Sequence, residues 1–459
     1  MLDRRRFLAL VGSSAVVACD GPGPEVEPTP EDQPRTAAPG EPWPGVAAPA
    51  GVDFPMGVQA GDPTPDGARL WTRYTGAGSL SLVVAVWDGE AWQAVEERPV
   101  TLAEGGYVHA DVEGLGPDTH VAFQLRDDLG GASPTGRFTT APAGDRATVV
   151  RIGCGSCFDQ DHEAFPSLAE VAALGLDAFV FLGDTAYFDG RSTVEGFRSL
   201  WQQNLSAPGF RELLSSTAVV YTWDDHEVDN NFDAERIDPV RLEIARAAML
   251  EATPMRLVPP ERLWRRLVFG ATVELFVLDC RGERRPSIDE YLSPEQLQWL
   301  IDGVRASTAR WKLVANSVPI MAFEPDLWKV NLNDRWEGYP AQRAALLAAI
   351  ADVPGVVFLS GDVHCPILAR VAASGDGAAA WDVVAGPGGS FLNPLGSLLP
   401  GTPNVLWADV EWNAVHLELS STGTMRVRFV GEDGAALCDA VLDDRGEVVS
   451  LTAAPPAGS

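Results

Sequence analysis

Five short apolar runs, of four to six residues each, give way abruptly to residues that can hold a metal or a proton. That pattern constrains the fold more than any other feature of the chain. Residues 148–153 lead into Cys154-Gly155-Ser156-Cys157, and 178–182 into Gly183-Asp184-Thr185-Ala186-Tyr187. Residues 218–222 lead into Trp223-Asp224-Asp225-His226-Glu227, 312–315 into Asn316, and 356–360 into Gly361-Asp362-Val363-His364. Short apolar runs bounded by glycine or polar breaks read as buried strands. Helical patterns lie between several of them, over 163–174, 239–251, 294–304 and 341–351. Strand–helix alternation argues for a layered α/β domain, in which parallel strands bring their carboxyl ends to one edge.

Each ending is ambiguous alone. Gly-Asp is often only a turn, Cys-x-x-Cys fits a redox pair, a disulfide or half a zinc site, and an acidic cluster suits a helix start. Convergence changes the reading, because several carboxylates crowded at one sheet edge are costly without cations, and a metal pair resolves the cost.

The rest of the chain divides by texture. Residues 1–19 contain Arg4-Arg5-Arg6-Phe7-Leu8, a short apolar stretch and Val16-Val17-Ala18-Cys19. This is similar to a twin-arginine export signal ending in a lipobox, so the export machinery and a lipid anchor on Cys19 are expected partners. Residues 20–51, rich in Pro, Glu, Gly and Thr, read as a disordered tether. Residues 52–142 carry short β-like runs with turn punctuation, the pattern of a small fibronectin-like β-sandwich. Residues 143–459 then form the α/β part. A net charge of −30 disfavours nucleic acid as a partner.

The string Thr222-Trp223-Asp224-Asp225-His226-Glu227-Val228-Asp229-Asn230-Asn231, with Gly57-Val58-Gln59-Ala60-Gly61-Asp62-Pro63 and Leu70-Trp71-Thr72-Arg73, resembles the PhoD-like alkaline phosphatase and phosphodiesterase family. That family lies within the calcineurin-like and purple-acid-phosphatase-like metallophosphoesterases. The resemblance implies a layered metallophosphoesterase sandwich preceded by a small β-sandwich. It also implies a role for each matching residue. Cys157 takes the first ligand place, and the family's Ser-Cys step favours it over Cys154. Asp184 bridges two metals, Tyr187 adds a phenolate, and Asp225, Asn316, Asp362 and His364 complete the ligands. Asp225 and His226 occupy the catalytic positions, His226 near the leaving oxygen. Arg281, in Leu278-Asp279-Cys280-Arg281, is a candidate phosphate binder or one half of a structural ion pair. An Fe3+–Ca2+ centre is implied in the same way.

The expected function is metal-dependent hydrolysis of phosphate esters outside the cytoplasm. A phosphodiesterase or phospholipase-D-like activity on the same scaffold is the nearest alternative, and a non-catalytic metal- or partner-binding surface lipoprotein is the remote one.

Overall fold

A computed structural model of the chain describes residues 31–35, 38–45, 53–259, 262–323 and 331–453. At its centre, strands Val150–Gly155, Ala178–Phe181, Ala218–Tyr221 and Val58–Thr64 run parallel in a ten-stranded sheet. Strands Val273–Val277, Trp311–Ser317, Val356–Ser360 and Trp381–Val384 run parallel in a seven-stranded sheet. The period of two along each strand divides the side chains between layers. Ala178 and Val180 join the core shared by the two sheets, whereas Phe179 and Phe181 point into the core beneath the helices. Each fully buried Val, Leu or Phe contributes roughly 1.5–3 kcal/mol relative to exposure.

Helices cover both outer faces. Pro166–Ala172, Val194–Leu205, Pro208–Ser216 and Pro239–Ala252 place Leu168, Phe197, Leu213 and Met249 on the ten-stranded sheet. Pro294–Ala306 and Pro340–Ile350 place Leu300, Val304 and Leu346 on the other. Their starts follow from local chemistry. Proline opens five of the six, and the side chains of Thr193 and Ser293 accept the backbone N–H groups of Gly196 and Gln296.

The N-terminal sandwich is present, but it is not hydrogen-bonded as a separate body. One of its sheets holds Leu80–Trp87, Trp92–Pro99, His120–Asp127 and Gly136–Thr139. The other, Val58–Thr64, Gly67–Arg73 and Tyr107–Val112, continues the ten-stranded sheet, with Ala60 opposite Ala218.

The Pro-rich segment read as a free tether is a strap over its described part. Trp43 is buried against Val83 and Ala122 of the sandwich. Arg35 pairs with Asp118 and Asp177, one in each part of the molecule, and Asp32 accepts from Ser420 and from the backbone of Ser421 at 2.5 and 2.8 Å. One aromatic and two charges anchor a segment whose composition alone offers no core. The export signal and Cys19 lie outside the described residues. Among the described residues, no helix is long and apolar enough to cross a membrane.

Candidate metal centre

The carboxyl ends of the central strands meet, and their first loop residues bend sharply inward. Cys157, Asp184, Asp362 and His364 all take positive φ, at 61°, 53°, 64° and 58°. Non-glycine residues seldom adopt that region, and such strain clusters at functional sites. The loops also approach closely. A Cβ on Gly183 would lie 2.2 Å from the Asp224 nitrogen, and one on Gly361 would lie 2.1 Å from Ser156 Oγ. Only glycine permits these contacts.

The result is a nest of ligand atoms. One group joins Cys157, Asp184 and His364, a second joins Asp184, Asp225 and His226, and a third joins Asp224, Asp225 and Asp362, the atoms of each group within 4.8 Å of one another. Asp184 and Asp225 each belong to two groups, the position a bridging ligand requires. Tyr187 Oη lies 3.0 Å from His364 Nε2, and its ring stacks on that of His226 at 4.0 Å. Cys157 Sγ is 3.5 Å from Asp184 Oδ2, while Cys154 belongs to the core between the sheets.

The electrostatics are those of anions held together without enough cations. Burial, then the charge of Asp225, pushes the Asp184 carboxyl well above the usual carboxylate range. Burial and Asp334 do the same to Asp362, and burial and Asp184 raise the Cys157 thiol. Burial lowers the His364 imidazole to about 4, so the ring is neutral. Burial also opposes charge on His226, but its hydrogen bond to Asp189 and the charge of Asp225 prevail and raise its pKa. Asp225 Oδ1 is buried without a partner among the described residues.

Two expected site residues are placed otherwise. Arg281 does not face a substrate. Its side chain is fully buried, its Nε and Nη2 donate to Asp224 at 2.7 and 2.9 Å, and it also bonds Asp334. It lies 3.5 Å from Asp362 and 3.8 Å from Asp225, so the guanidinium neutralises the third acidic group. These contacts are those of the structural ion pair, the second of the two readings. Asn316, expected as a ligand, has both ends of its amide engaged by protein partners. Its amide oxygen accepts from Trp336 Nε1 at 2.9 Å and its nitrogen donates to Val318 O. The cause is a register shift between Ala315 and Ser317, with Ser317 at φ 58°, which re-aims the side chain as a bulge does.

The structure adds residues that motif reading did not single out. Asp189 Oδ2 is 2.6 Å from His226 Nδ1, and its other oxygen accepts the Asn230 N–H at 2.7 Å. Glu227 collects three backbone N–H groups, those of Asp184, Thr185 and Asp224, at 3.0, 2.6 and 3.0 Å, and so ties two ligand loops together. Asp334 holds both Arg281 and Arg284. Glu227 was visible in the quoted string, and Asp189 stands five residues after Asp184, but neither contact has a sequence signal of its own.

The chain is similar to known phosphatases in sequence and in fold. Residues 152–397 match the PhoD-like phosphatase family, and residues 39–142 match the PhoD-like phosphatase N-terminal domain. The chain is 28% identical over 378 residues to alkaline phosphatase D of Bacillus subtilis (strain 168), covering 68% of this chain and 64% of that protein's length. In fold it is similar to a solved structure of PhoD, with TM-score 0.77 at 21% identity over 90% of this chain and 95% of the other. It is also similar to purple acid phosphatase PPD1 from yellow lupin (Lupinus luteus) seeds, with TM-score 0.62 at 14% identity over 83% and 72% of the two chains.

Proposed function

Because the chain belongs to the PhoD-like phosphatase family, which spans more than half of it, we propose that it is a metal-dependent phosphoric ester hydrolase of the alkaline phosphatase D type. The observation that carries this reading is the convergence of Cys157, Asp184, Asp225 and His226, beyond strands of the ten-stranded sheet, with His364, beyond a strand of the seven-stranded sheet. The donor set fits metal ions. The partnerless Asp225 oxygen and the raised pKa of Asp184 both call for a cation that Arg281 does not supply. Thiolate, phenolate and imidazole suit trivalent iron, which Cys157, Tyr187 and His364 would hold; carboxylate oxygens suit calcium, which Asp225 would hold, with Asp184 in reach of both groups. Such ions, when bound, activate water and draw charge from the phosphoryl oxygens.

His226 is the proton donor in this proposal. Its Nδ1–H is engaged by Asp189, which leaves Nε2 to face a leaving oxygen. The stacked Tyr187 ring fixes the imidazole plane. A diester is the second substrate reading, supported by a cavity of about 270 Å3 beside the centre, lined by Asn231, Arg236, Arg284, Asn333 and Asp334. Such space suits a second ester substituent. We further place the enzyme outside the cytoplasm, on the strength of the Arg4-Arg5-Arg6 and Cys19 signals.

The test is hydrolysis of a chromogenic phosphomonoester and its matching diester, with chelator and after restoring calcium and iron. Cleavage is expected to be chelator-sensitive, and Asp184→Asn is expected to abolish it with folding retained. Turnover indifferent to both would remove the proposal. A folded, metal-loaded protein that cleaves neither ester would point to a binding lipoprotein.

A further inference from the structure

Among the described phenylalanines, tyrosines and tryptophans one side chain is exposed, and it stands at the candidate centre. Phe391 is 68% exposed, and its ring centroid lies 4.1 Å from that of His364. The other described Phe, Tyr and Trp rings, by contrast, are buried or half-buried. An exposed ring on a mobile loop would be unremarked, but this loop is pinned on both sides to the ligand loops. The backbone N–H groups of Gly389 and Ser390 donate to the Cys157 carbonyl at 3.1 and 3.0 Å, and that of Asn393 donates to the His364 carbonyl at 2.9 Å. Trp412 Nε1 donates to the Ser390 carbonyl at 2.7 Å. The chain therefore presents an apolar ring in a fixed place, beside ligands that are otherwise carboxylate, thiol and imidazole.

We infer that Phe391 is a specificity-determining residue, packing against the organic substituent of the phosphoester and favouring aryl or alkyl esters over small hydroxylated ones. The inference rests on the phosphoesterase reading. A ring on a backbone fixed before binding loses less entropy when covered than one on a free loop, so more of the apolar surface it buries is expressed as affinity.

The experiment compares the metal-loaded full chain with Phe391→Ala and Phe391→Leu on two monoesters, 4-nitrophenyl phosphate and glycerol 1-phosphate, following released phosphate. Because the ring is exposed, the variants should keep the wild-type melting temperature. Phe391→Ala should lower kcat/KM for the aryl ester roughly tenfold, mainly through KM, and leave the glycerol ester within about twofold. Phe391→Leu should recover part of the aryl loss. An equal loss on both esters, or no loss on either, overturns the inference while leaving the phosphoesterase reading intact. A wild-type protein inert toward both esters overturns the two together.

Discussion

Replacing Arg281 by Met separates the two roles open to this residue. The guanidinium is fully buried, bonds Asp224 through two nitrogens at 2.7 and 2.9 Å, reaches Asp334, and lies near Asp225 and Asp362. Methionine fills similar volume but leaves four acidic groups facing one another without that cation. Removing one partner of a buried pair costs about 3–5 kcal/mol, because the remaining charge is uncompensated. At about 1 °C per kcal/mol for a chain of this size, Tm should fall roughly 3–5 °C. Arg281→Lys keeps the charge but loses the forked geometry, and should fall between wild type and Met. The assay is thermal unfolding beside steady-state kinetics on one phosphomonoester. A structural Arg281 predicts lower Tm and lower kcat, with a modest change in KM. An unchanged Tm with KM raised tenfold or more would mean that the guanidinium reaches the substrate, and would refute the reasoning.

Asp189→Asn should reduce kcat roughly 10–100-fold and move the basic limb of the pH–rate profile to lower pH, since His226 loses the partner that raises its pKa; an unmoved limb would remove Asp189 from this role. His416 tests the fold instead. It is 2% exposed, and burial lowers its pKa to about 4. The unfolded chain takes up this proton near pH ~6.5, before the folded protein does, so the contribution is complete above that pH and is lost as pH falls toward 4. The loss is about 3 kcal/mol across that window, and His416→Leu should abolish it. Denaturant midpoints at pH 7 and 4 that fall equally in both proteins would exclude His416 as the cause.

Strand and helix order was legible wherever local chemistry decides it. The helices at Pro239–Ala252 and Pro294–Ala306 start where the sequence places them, on prolines preceded by Asp238 and Ser293, whose side chains accept the backbone N–H groups of Val240 and Gln296. What was not legible is pairing between distant segments. Nothing in residues 58–64 announces that this strand will lie parallel to Ala218–Tyr221, and the apolar pattern is equally compatible with a free-standing sandwich. The strap was misread for a related reason. Its composition is that of a disordered segment, and three side chains, Asp32, Arg35 and Trp43, hold it only because partners more than 38 residues away are already in place.

At the candidate centre the same division recurs within single loops. The residue type at a strand end is local information, so Cys157, Asp184, Asp225, Asp362 and His364 could be named from the chain. The direction of a side chain there depends on one backbone step. Asn316 stands at a strand end like the others, but the shift between Ala315 and Ser317 turns its amide to Trp336. Arg281 fails for the opposite reason. Its backbone position says nothing against a phosphate, and only the fold, by closing Asp224 and Asp334 around it, commits the guanidinium to them. A cation fixed in that way serves the centre as counter-charge: it lets Asp224 stay buried beside Asp225 and leaves the free oxygen of Asp225 for an ion from solution.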